Sequence, residues 1–203
     1  MTQSRRPHLA IFLKAPRLGQ VKTRLAAGIG APAAIRFHRT TAARLIRRIA
    51  RDRRWSTTLW LSPRDGLRQR DLPCMALQRF DQGPGDLGRR MARVFRRLPP
   101  GPAVLVGTDV PDLGPAQIAR AFRMLRSHDA VFGPASDGGY WLVGLRDSVR
   151  LRPPFDGVRW STRHTLADTK ARLGRASCGL LEPLDDIDTP ADYRRHRARS
   201  TSR

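Results

Sequence analysis

Short apolar runs alternate along this chain with longer segments in which apolar residues recur at helical spacing. The runs at 9–13 and 103–107 are apolar throughout, which is typical of buried parallel strands; the first ends at a loop with Pro and Gly, and the second is bracketed by Pro and Gly. Further runs are rich in Trp, Thr, Val or Leu and end at turn residues. The pattern therefore predicts strands at 9–13, 55–62, 75–80, 103–107, 130–134, 140–145 and 180–184.

Helical periodicity fills most of the intervals between these strands. Apolar residues at spacings of three and four predict helices at 32–49, 87–98, 116–127 and 165–173, with another beginning near residue 190. Strands that alternate with helices indicate an α/β sandwich with a mostly parallel sheet. No repeat or linker divides the chain, so we expect one domain over 1–203, with its core at about 8–193 and a frayed basic tail at 194–203.

Length and composition exclude several classes of protein. A chain of 203 residues can bury a core without disulfides, and Cys74 and Cys178 lack any metal-binding spacing, so we expect reduced thiols. No apolar run approaches the roughly 18 residues of a membrane helix. The arginine pair near the N-terminus precedes an apolar run too short for the roughly 7–15 residues of an export signal. We therefore expect a cytoplasmic protein.

The net charge of +22 allows two interpretations. One is a protein that binds nucleic acid or an anionic membrane. The other is a compositional bias toward arginine combined with a site for a phosphorylated small molecule. The arginines are spread through the chain, and the aromatic content of 6% leaves no stacking platform for single strands. We expect no specific nucleic acid partner, and only weak charge-driven binding to anionic surfaces.

The loop KAPRLGQVKTR at 14–24 stands out because it keeps lysine in an arginine-rich chain. Only three of the 39 basic residues are lysine, and Lys14 and Lys22 both lie here. Lysine is a compact charge for a phosphate, and arginine does not replace it freely. The loop is not a Walker A motif, because Val21 stands where glycine must precede the lysine, and it has no GxGxxG. A phosphate site at Lys14, Lys22 and Arg24 is the favoured interpretation, and a solvated basic loop is the alternative.

Carboxylates follow the other predicted strands. Asp109 ends the most apolar strand, and a buried acid there needs a cation or hydrogen bonds, so it is a candidate ligand for Mg²⁺ or Mn²⁺. Asp112 is the expected N-cap of the next helix. Three acids crowd 185–188, which predicts a second metal carboxylate at Asp186 or Asp188, although one of them could cap the helix near residue 190.

The remaining candidates are less distinctive. Asp137 precedes Gly138 and Gly139, which predicts either a tight turn or a close approach to a sugar or ribose hydroxyl. The five histidines lack partners at recognisable spacing and are expected in the core or on the surface: His8, His38, His128, His164 and His196.

Six ordered motifs resemble a bacterial family of glycosyltransferase-A-like transferases, often labelled glycosyltransferase-like and linked by name to radical-SAM or arsenosugar pathways. They are FLKAPRLGQVKTRL, QGPGDLGRRM, LVGTDVPDL, FGPASDGGYWLVGL, WSTRHTLADT and DDIDTPADY. More distantly, the layout resembles small nucleotidyltransferases such as the guanylyltransferases for molybdenum cofactor and for phospholactate. The resemblance implies a three-layer α/β/α sandwich of the nucleotide-diphospho-sugar transferase type.

The resemblance also implies roles for individual residues. Catalysis would rest on Asp109 and Lys22, and metal binding on Asp109 with Asp186 or Asp188. Nucleotide and phosphate contacts would come from Lys14, Gly19, Lys22, Thr23, Arg24 and Asp86, and the substrate pocket would contain Asp137, Gly138, Gly139 and Tyr140. Two positions depart from the family pattern. Arg89 stands after GDLG where the family commonly has an acid, and Ser136 stands before DGG where the family tends to carry a polar or acidic residue.

Three functions follow as hypotheses. The leading one is Mg²⁺- or Mn²⁺-dependent glycosyl transfer from a nucleotide-sugar to a small acceptor. The second is nucleotidyl transfer from a nucleoside triphosphate to a phosphorylated small molecule. The third is non-catalytic binding of nucleic acid or an anionic membrane.

Overall fold

The computed structural model describes residues 6–69 and 76–201. Its strands are β1 (His8–Lys14), β2 (Ser56–Ser62), β3 (Gln78–Asp81), β4 (Ala103–Val106), β5 (Ala130–Pro134), β6 (Tyr140–Leu145) and β7 (Cys178–Leu180). Its α-helices are α1 (Thr23–Ile29), α2 (Ala31–Ala50), α3 (Leu87–Arg97), α4 (Pro115–Met124), α5 (Asp147–Arg150), α6 (Thr165–Arg172) and α7 (Pro190–Thr201). A short 3₁₀ helix, Arg64–Arg68, follows β2.

The described strands form one sheet in the order β3-β2-β1-β4-β6-β5-β7. All neighbouring strands pair in parallel except β6, which runs antiparallel to both β4 and β5. The predicted mostly parallel sheet is confirmed. Along the chain, β1 is followed by a neighbour on one side, β2, and later by a neighbour on the other side, β4. The gap between the carboxyl ends of β1 and β4 is therefore a topological switch point, where ligands of such sheets bind.

Alternating side chains of each strand serve two separate cores. On one face, Leu9, Ile11 and Leu13 of β1 belong to a buried cluster that includes residues of α2 and α4. On the other face, Ala10 belongs to a second cluster that includes residues of α3. Helices on both faces complete the predicted three-layer α/β/α sandwich.

Three predictions about the elements need correction or restriction, and a fourth agrees with the structure. The last strand begins at Cys178 and ends at Leu180, because Pro183 lacks the N–H that a regular ladder would need beyond it. A short helix, α1, occupies the end of the predicted basic loop. The predicted third strand, 75–80, is β3, and residue 75 of that prediction lies outside the described residues, as does Cys74. Cys178 carries a free thiol, as expected.

Two predictions about helix ends also differ from the structure. Asp112 does not cap α4, which begins at Pro115, where the side-chain oxygen of Gln117 accepts from Gly114 N at 3.0 Å. The segment expected to be frayed, 194–203, is helical as far as residue 201. Its helix is held at its start by Asp192, whose Oδ2 accepts from Thr189 N at 2.7 Å. Neither Asp186 nor Asp188 is the cap.

Within the two described ranges, no helix has the length and hydropathy of a membrane span.

Candidate active site

A cavity of about 400 Å³ opens at the carboxyl ends of β1 and β4. This volume lies within the range of roughly 300–1,000 Å³ that is typical of small-molecule sites. Four charged side chains line it: Lys14 at the end of β1, Asp109 after β4, Asp137 before β6, and Asp186 after β7. Sequence-distant loops therefore meet at the switch point, as the strand order requires.

Lys22 lies between two of the predicted carboxylates. Its ammonium nitrogen is 2.8 Å from Asp109 Oδ1 and 2.7 Å from Asp188 Oδ1, and its side chain is only 5% exposed. Arg24 donates to the other oxygen of Asp188 at 2.8 Å. The first loop is thus linked to the loops after β4 and β7. In this arrangement Lys22 is the internal counter-ion of two acids and is largely withdrawn from solvent.

The backbone at Lys22 supports the same conclusion. Its φ of 50° and ψ of 43° are left-handed, a conformation that costs a non-glycine residue on the order of 1 kcal/mol or more. Only one other described non-glycine residue, Ser161, has a positive φ, and it lines the cavity. Such strain persists only where surrounding contacts fix it, and at Lys22 the two carboxylates provide those contacts.

Asp109 is electrostatically compensated although its side chain is 46% exposed. Partial desolvation acts to raise the pKa of its carboxyl, but the neighbouring His38 and the charge of Lys22 outweigh it and hold the pKa well below the ordinary 3.8. The His38 Nδ1 lies 3.7 Å from Asp109 Oδ1. The opposite ring nitrogen, Nε2, donates to the carbonyl of Lys14 at 2.9 Å. Asp109 is therefore ionised and held in place.

His38 is a functional candidate that sequence reasoning missed. It was expected to be an ordinary core or surface histidine, and it is buried, but its Nε2 is bonded to the Lys14 carbonyl and its Nδ1 lies beside Asp109. The available signal was its position in α2, four residues after Ala34 and four before Ala42, on the face that packs against the sheet.

Asp186 has the opposite electrostatic state. Burial and the nearby Asp188 carboxylate raise the pKa of Asp186 to about 6, with Asp109 and Asp137 acting in the same direction and Lys22 against it. Asp186 lines the cavity, whereas Asp188 is bound to Lys22 and Arg24. Of the two alternatives for a metal carboxylate, Asp186 is the one that faces the cavity.

Protein side chains alone do not form a complete metal site. Within residues 6–69 and 76–201, no three His, Cys, Asp or Glu side chains are grouped closely enough to hold an ion. Asp109 and Asp186 nevertheless fit Mg²⁺ or Mn²⁺, because both line the cavity and Asp186 has a charge that its surroundings disfavour. Mg²⁺ commonly binds to one or two carboxylates, with water and substrate phosphates completing its shell.

The Asp137 loop is both a tight turn and part of the cavity wall. Asp137 Oδ1 accepts from Gly139 N at 2.8 Å, and Gly138 has a φ of +83°. A Cβ at Gly138 would come within 2.2 Å of the carbonyl oxygen of Arg163, so only glycine fits there. Asp137, Gly139 and Tyr140 line the cavity, whereas Gly138 is not among the lining residues.

Several predicted site residues lie elsewhere. Asp86 is the N-cap of α3, with Oδ1 accepting from Arg89 N at 2.8 Å, and it does not line the cavity. Gly19 and Thr23 are exposed and are not among the residues of the cavity wall. Of the two departures from the family pattern, Arg89 is exposed on α3, and Ser136 donates its N–H to Asp185 at 3.2 Å.

The rest of the cavity wall was not predicted. It includes Gln82, Leu87, Met91, Trp160, Ser161 and Thr162. The two motifs that contain these residues were recognised in the sequence. Within those motifs, however, only Asp86 was assigned a role. Gly88 explains the position of Trp160, because a Cβ at residue 88 would come within 2.6 Å of the indole.

Comparisons with known proteins relate the chain to transferases and support its fold. A 3-phospho-D-glycerate guanylyltransferase of Phenylobacterium zucineum is 34% identical over 106 residues, which cover 50% of this chain and 47% of that protein. A 2-phospho-L-lactate guanylyltransferase of Methanopyrus kandleri is 35% identical over 95 residues, covering 47% of this chain and 50% of that protein. Each match therefore spans about half the length of the relative.

A solved structure extends the likeness over nearly the whole chain. The protein, from Desulfovibrio desulfuricans G20, is described as a nucleotide-diphospho-sugar transferase; it has a TM-score of 0.83 at 24% identity and 95% coverage of both chains. The predicted fold type is confirmed. The family described as "Uncharacterized protein conserved in bacteria" (DUF2064) matches residues 45–162, more than half of the sequence. The chain belongs to this bacterial family, DUF2064.

Proposed function

We propose that this protein is a metal-dependent nucleotidyltransferase that uses a nucleoside triphosphate and a phosphorylated small molecule. The observation that carries the proposal is the convergence of Lys14, Asp109 and Asp186 on one cavity, with Lys22 behind them. Cationic and anionic groups in one cleft can bind a triphosphate together with a divalent ion. Both curated relatives transfer a guanylyl group, according to their names.

In the proposed reaction, a phosphate oxygen of the acceptor attacks the α-phosphorus of the nucleotide. The bond from that phosphorus to the oxygen bridging to the β-phosphate breaks, and pyrophosphate leaves with that bonding electron pair. A divalent cation held by Asp109 and Asp186 would supply neutralising charge at the phosphate oxygens. The protein's own contribution is mainly positioning and electrostatic stabilisation, as in phosphoryl transfer generally.

The lysines have different roles in this proposal. Lys14 is the one cationic side chain among the described residues of the cavity wall, so it would contact the phosphates directly. Lys22 is bound to Asp109 and Asp188, so it would keep Asp109 ionised and oriented toward the cavity. His38 would fix Asp109 from the other side.

Glycosyl transfer, the leading hypothesis from the sequence, is less well supported. Both curated relatives are guanylyltransferases, and the likeness to the Desulfovibrio structure, at 24% identity, concerns the fold. The same carboxylates could hold a nucleotide-sugar diphosphate, so the two reactions are distinguished by substrate. No observation favours the binding of nucleic acid or membrane beyond the net charge itself.

The test is a reaction panel followed by ³¹P nuclear magnetic resonance. The protein is incubated with Mg²⁺ or Mn²⁺, each of the four nucleoside triphosphates, and phosphorylated small acids that include 3-phospho-D-glycerate and 2-phospho-L-lactate. We expect pyrophosphate and a new diphosphate diester with at least one pair. Turnover of UDP- or dTDP-sugars, with no reaction of any triphosphate, would establish glycosyl transfer instead.

A further inference from the structure

The cavity of the candidate active site has two sides that differ in charge. In the sheet, β4 lies between β1 and β6, so residues that follow β1 and residues that precede β6 border the cavity on opposite sides of Asp109. Lys14, on the β1 side, is the only cation that the described residues contribute to the wall. Because Lys14 would contact the triphosphate in the proposed reaction, the β6 side is left for the acceptor.

The β6 side consists of the turn before β6 and the loop before α6. The residues of this side that matter here are Asp137, Trp160, Ser161, Thr162 and Thr165. They offer a carboxylate, an indole and three hydroxyl groups, and none of them is cationic. The two segments are joined, because Leu166 N donates to the carbonyl of Gly138 at 3.0 Å. The β6 side is therefore a single polar wall.

Asp137 is the charged group of the β6 side. Its Oδ1 accepts from Gly139 N at 2.8 Å, and no Arg or Lys among the described residues forms an ion pair with it. Its charge extends to Asp186, whose pKa it helps to raise. A ligand on the β6 side therefore meets a carboxylate that the fold does not neutralise.

Trp160 gives the β6 side a fixed aromatic surface. Its indole lies over Gly88, where a Cβ would come within 2.6 Å of the ring, and it packs edge-on against Phe155 with the ring centroids 6.1 Å apart. An indole can contact the C–H groups of a small molecule while neighbouring carboxylate and hydroxyl groups bind its O–H groups. The β6 side thus suits a hydroxylated molecule.

We propose that the β6 side binds the acceptor, that this acceptor is a polyol phosphate or sugar phosphate, and that Asp137 selects against a carboxylate in it. The inference rests on the proposed nucleotidyltransferase function and specifies its acceptor. A hydroxyl group donates to the Asp137 carboxylate, whereas a carboxylate of the acceptor has no hydrogen to donate and is repelled. The preferred acceptor therefore differs from the phosphorylated acids in the names of the curated relatives, which would react more slowly.

Matched pairs of acceptors test this proposal on the unmodified protein. Each pair differs only in a hydroxymethyl group that is replaced by a carboxylate: glycerol 3-phosphate and 3-phospho-D-glycerate, propane-1,2-diol 2-phosphate and 2-phospho-L-lactate, and sorbitol 6-phosphate and 6-phosphogluconate. Release of pyrophosphate is measured with Mg²⁺ and each of the four nucleoside triphosphates. Because like charges repel at short range, we expect kcat/KM to be about tenfold higher for the alcohol of each reacting pair. Equal values, or higher values for the carboxylates, would overturn the proposal.

A variant then locates the discrimination. Asp137→Asn keeps the side-chain oxygen that accepts from Gly139 N but removes the charge, so the ratio of kcat/KM within each pair should fall to about two or less. Asp112→Asn, an exposed change outside this cavity, should keep the wild-type ratio. Because each ratio is measured within one protein, a loss of active protein cancels, and the wild-type ratios stand even if Asp137→Asn fails to fold.

The outcomes separate this proposal from the proposed function. A wild-type ratio in Asp137→Asn would remove Asp137 from the acceptor site. Turnover in which the carboxylates are preferred would overturn the acceptor assignment alone, because nucleotidyl transfer would still be observed. If no acceptor of either kind releases pyrophosphate from any triphosphate, the proposed function fails, and the acceptor assignment fails with it.

Discussion

Asp109 and Asp186 line the same cavity, yet the protein treats their charges in opposite ways. Asp109 has Lys22 at 2.8 Å and His38 nearby, and its pKa lies well below 3.8. Asp186 has carboxylate neighbours and partial burial, and its pKa is raised to about 6. One acid is provided with its cation by the fold, and the other lacks one.

This difference explains how a site can be preorganised without collapsing on itself. If every carboxylate had a protein cation, no charge would remain to attract a divalent ion. If none had one, mutual repulsion would cost stability in the ligand-free protein. Lys22 keeps Asp109 and Asp188 in place, and Asp186 retains the charge that a bound cation would neutralise. Perturbed pKa values of this kind are concentrated at functional sites.

The largest effect is expected from Asp109→Asn. The amide cannot supply a negative charge to a metal, so metal-dependent binding of a nucleoside triphosphate should weaken about a hundredfold or more, as measured by calorimetric titration with Mn²⁺ present. Asp112→Asn is the matched control, because Asp112 is exposed, lies three residues away and does not line the cavity. Equal losses in both variants, or none in Asp109→Asn, would refute the assignment of Asp109.

Lys22→Met is expected to lower the free energy of unfolding. The substitution leaves Asp109 without its ammonium partner and Asp188 with Arg24 as its remaining cation. Because the side chains of the two acids are 46% and 34% exposed, we expect a loss of about 2 kcal/mol, less than for a fully buried pair. Urea denaturation measures this loss. Lys170→Met, an exposed change on α6, should leave the stability nearly unchanged. A variant of Lys22 as stable as the wild type would show that the ion pairs contribute nothing.

Asp186→Asn should change the free energy of unfolding in the opposite direction from Lys22→Met, and by less. Removing a repelled, half-buried charge should raise the free energy of unfolding of the metal-free protein by on the order of 1 kcal/mol at neutral pH, after allowance for solvent screening. Asp185→Asn, next to it, should not stabilise, because Asp185 accepts a hydrogen bond from Ser136. Destabilisation by Asp186→Asn in urea denaturation would contradict the electrostatic description of this residue.

The smallest expected effect on stability comes from His8. Because His8 lies outside the cavity wall, its titration reports a pH effect of the fold and not of the site. Burial lowers the pKa of His8 below 6.5, and Arg150 and Arg6 act in the same direction. The unfolded chain therefore binds a proton first as the pH falls. The free energy of unfolding of the wild type should therefore decline as the pH falls below 6.5. That of His8→Gln should decline less. Parallel melting temperatures of both proteins between pH 7.5 and 5.5 would contradict this.

The parts of the fold that the sequence predicted are those that depend on local pattern. The apolar strands and the helices α2, α3, α4 and α6 follow from periodicity, so their positions agree within a few residues. The short helix α1 was missed because it has only seven residues and follows a left-handed N-cap, Lys22, that no periodicity reveals. The end of β7 was misplaced because hydrophobic residues continue beyond Leu180 although the regular ladder does not.

The candidate site was predictable in its residue types but not in its pairings. Lysines after β1 and acids after β4 and β7 were recognised, and the strand order brings them together. Their partners depend on three-dimensional geometry. Lys22 was expected on a phosphate and lies between two carboxylates, while His38 carries no motif of its own. The importance of His38 follows from its burial and from the atoms that it faces.

The central claim is that Asp109 and Asp186 jointly bind a divalent ion together with a nucleoside triphosphate. A series of melting temperatures tests this claim most directly. Melting temperatures are recorded for the wild type and for Asp186→Asn with Mn²⁺ alone, with GTP alone, with both and with neither; ATP, CTP and UTP complete the series. The ligands together should raise the wild-type melting temperature by more than the sum of their separate effects, because each binds the folded state more tightly in the presence of the other. This excess should be absent in Asp186→Asn. Equal stabilisation by triphosphate with and without Mn²⁺, or the same excess in both proteins, would contradict the claim.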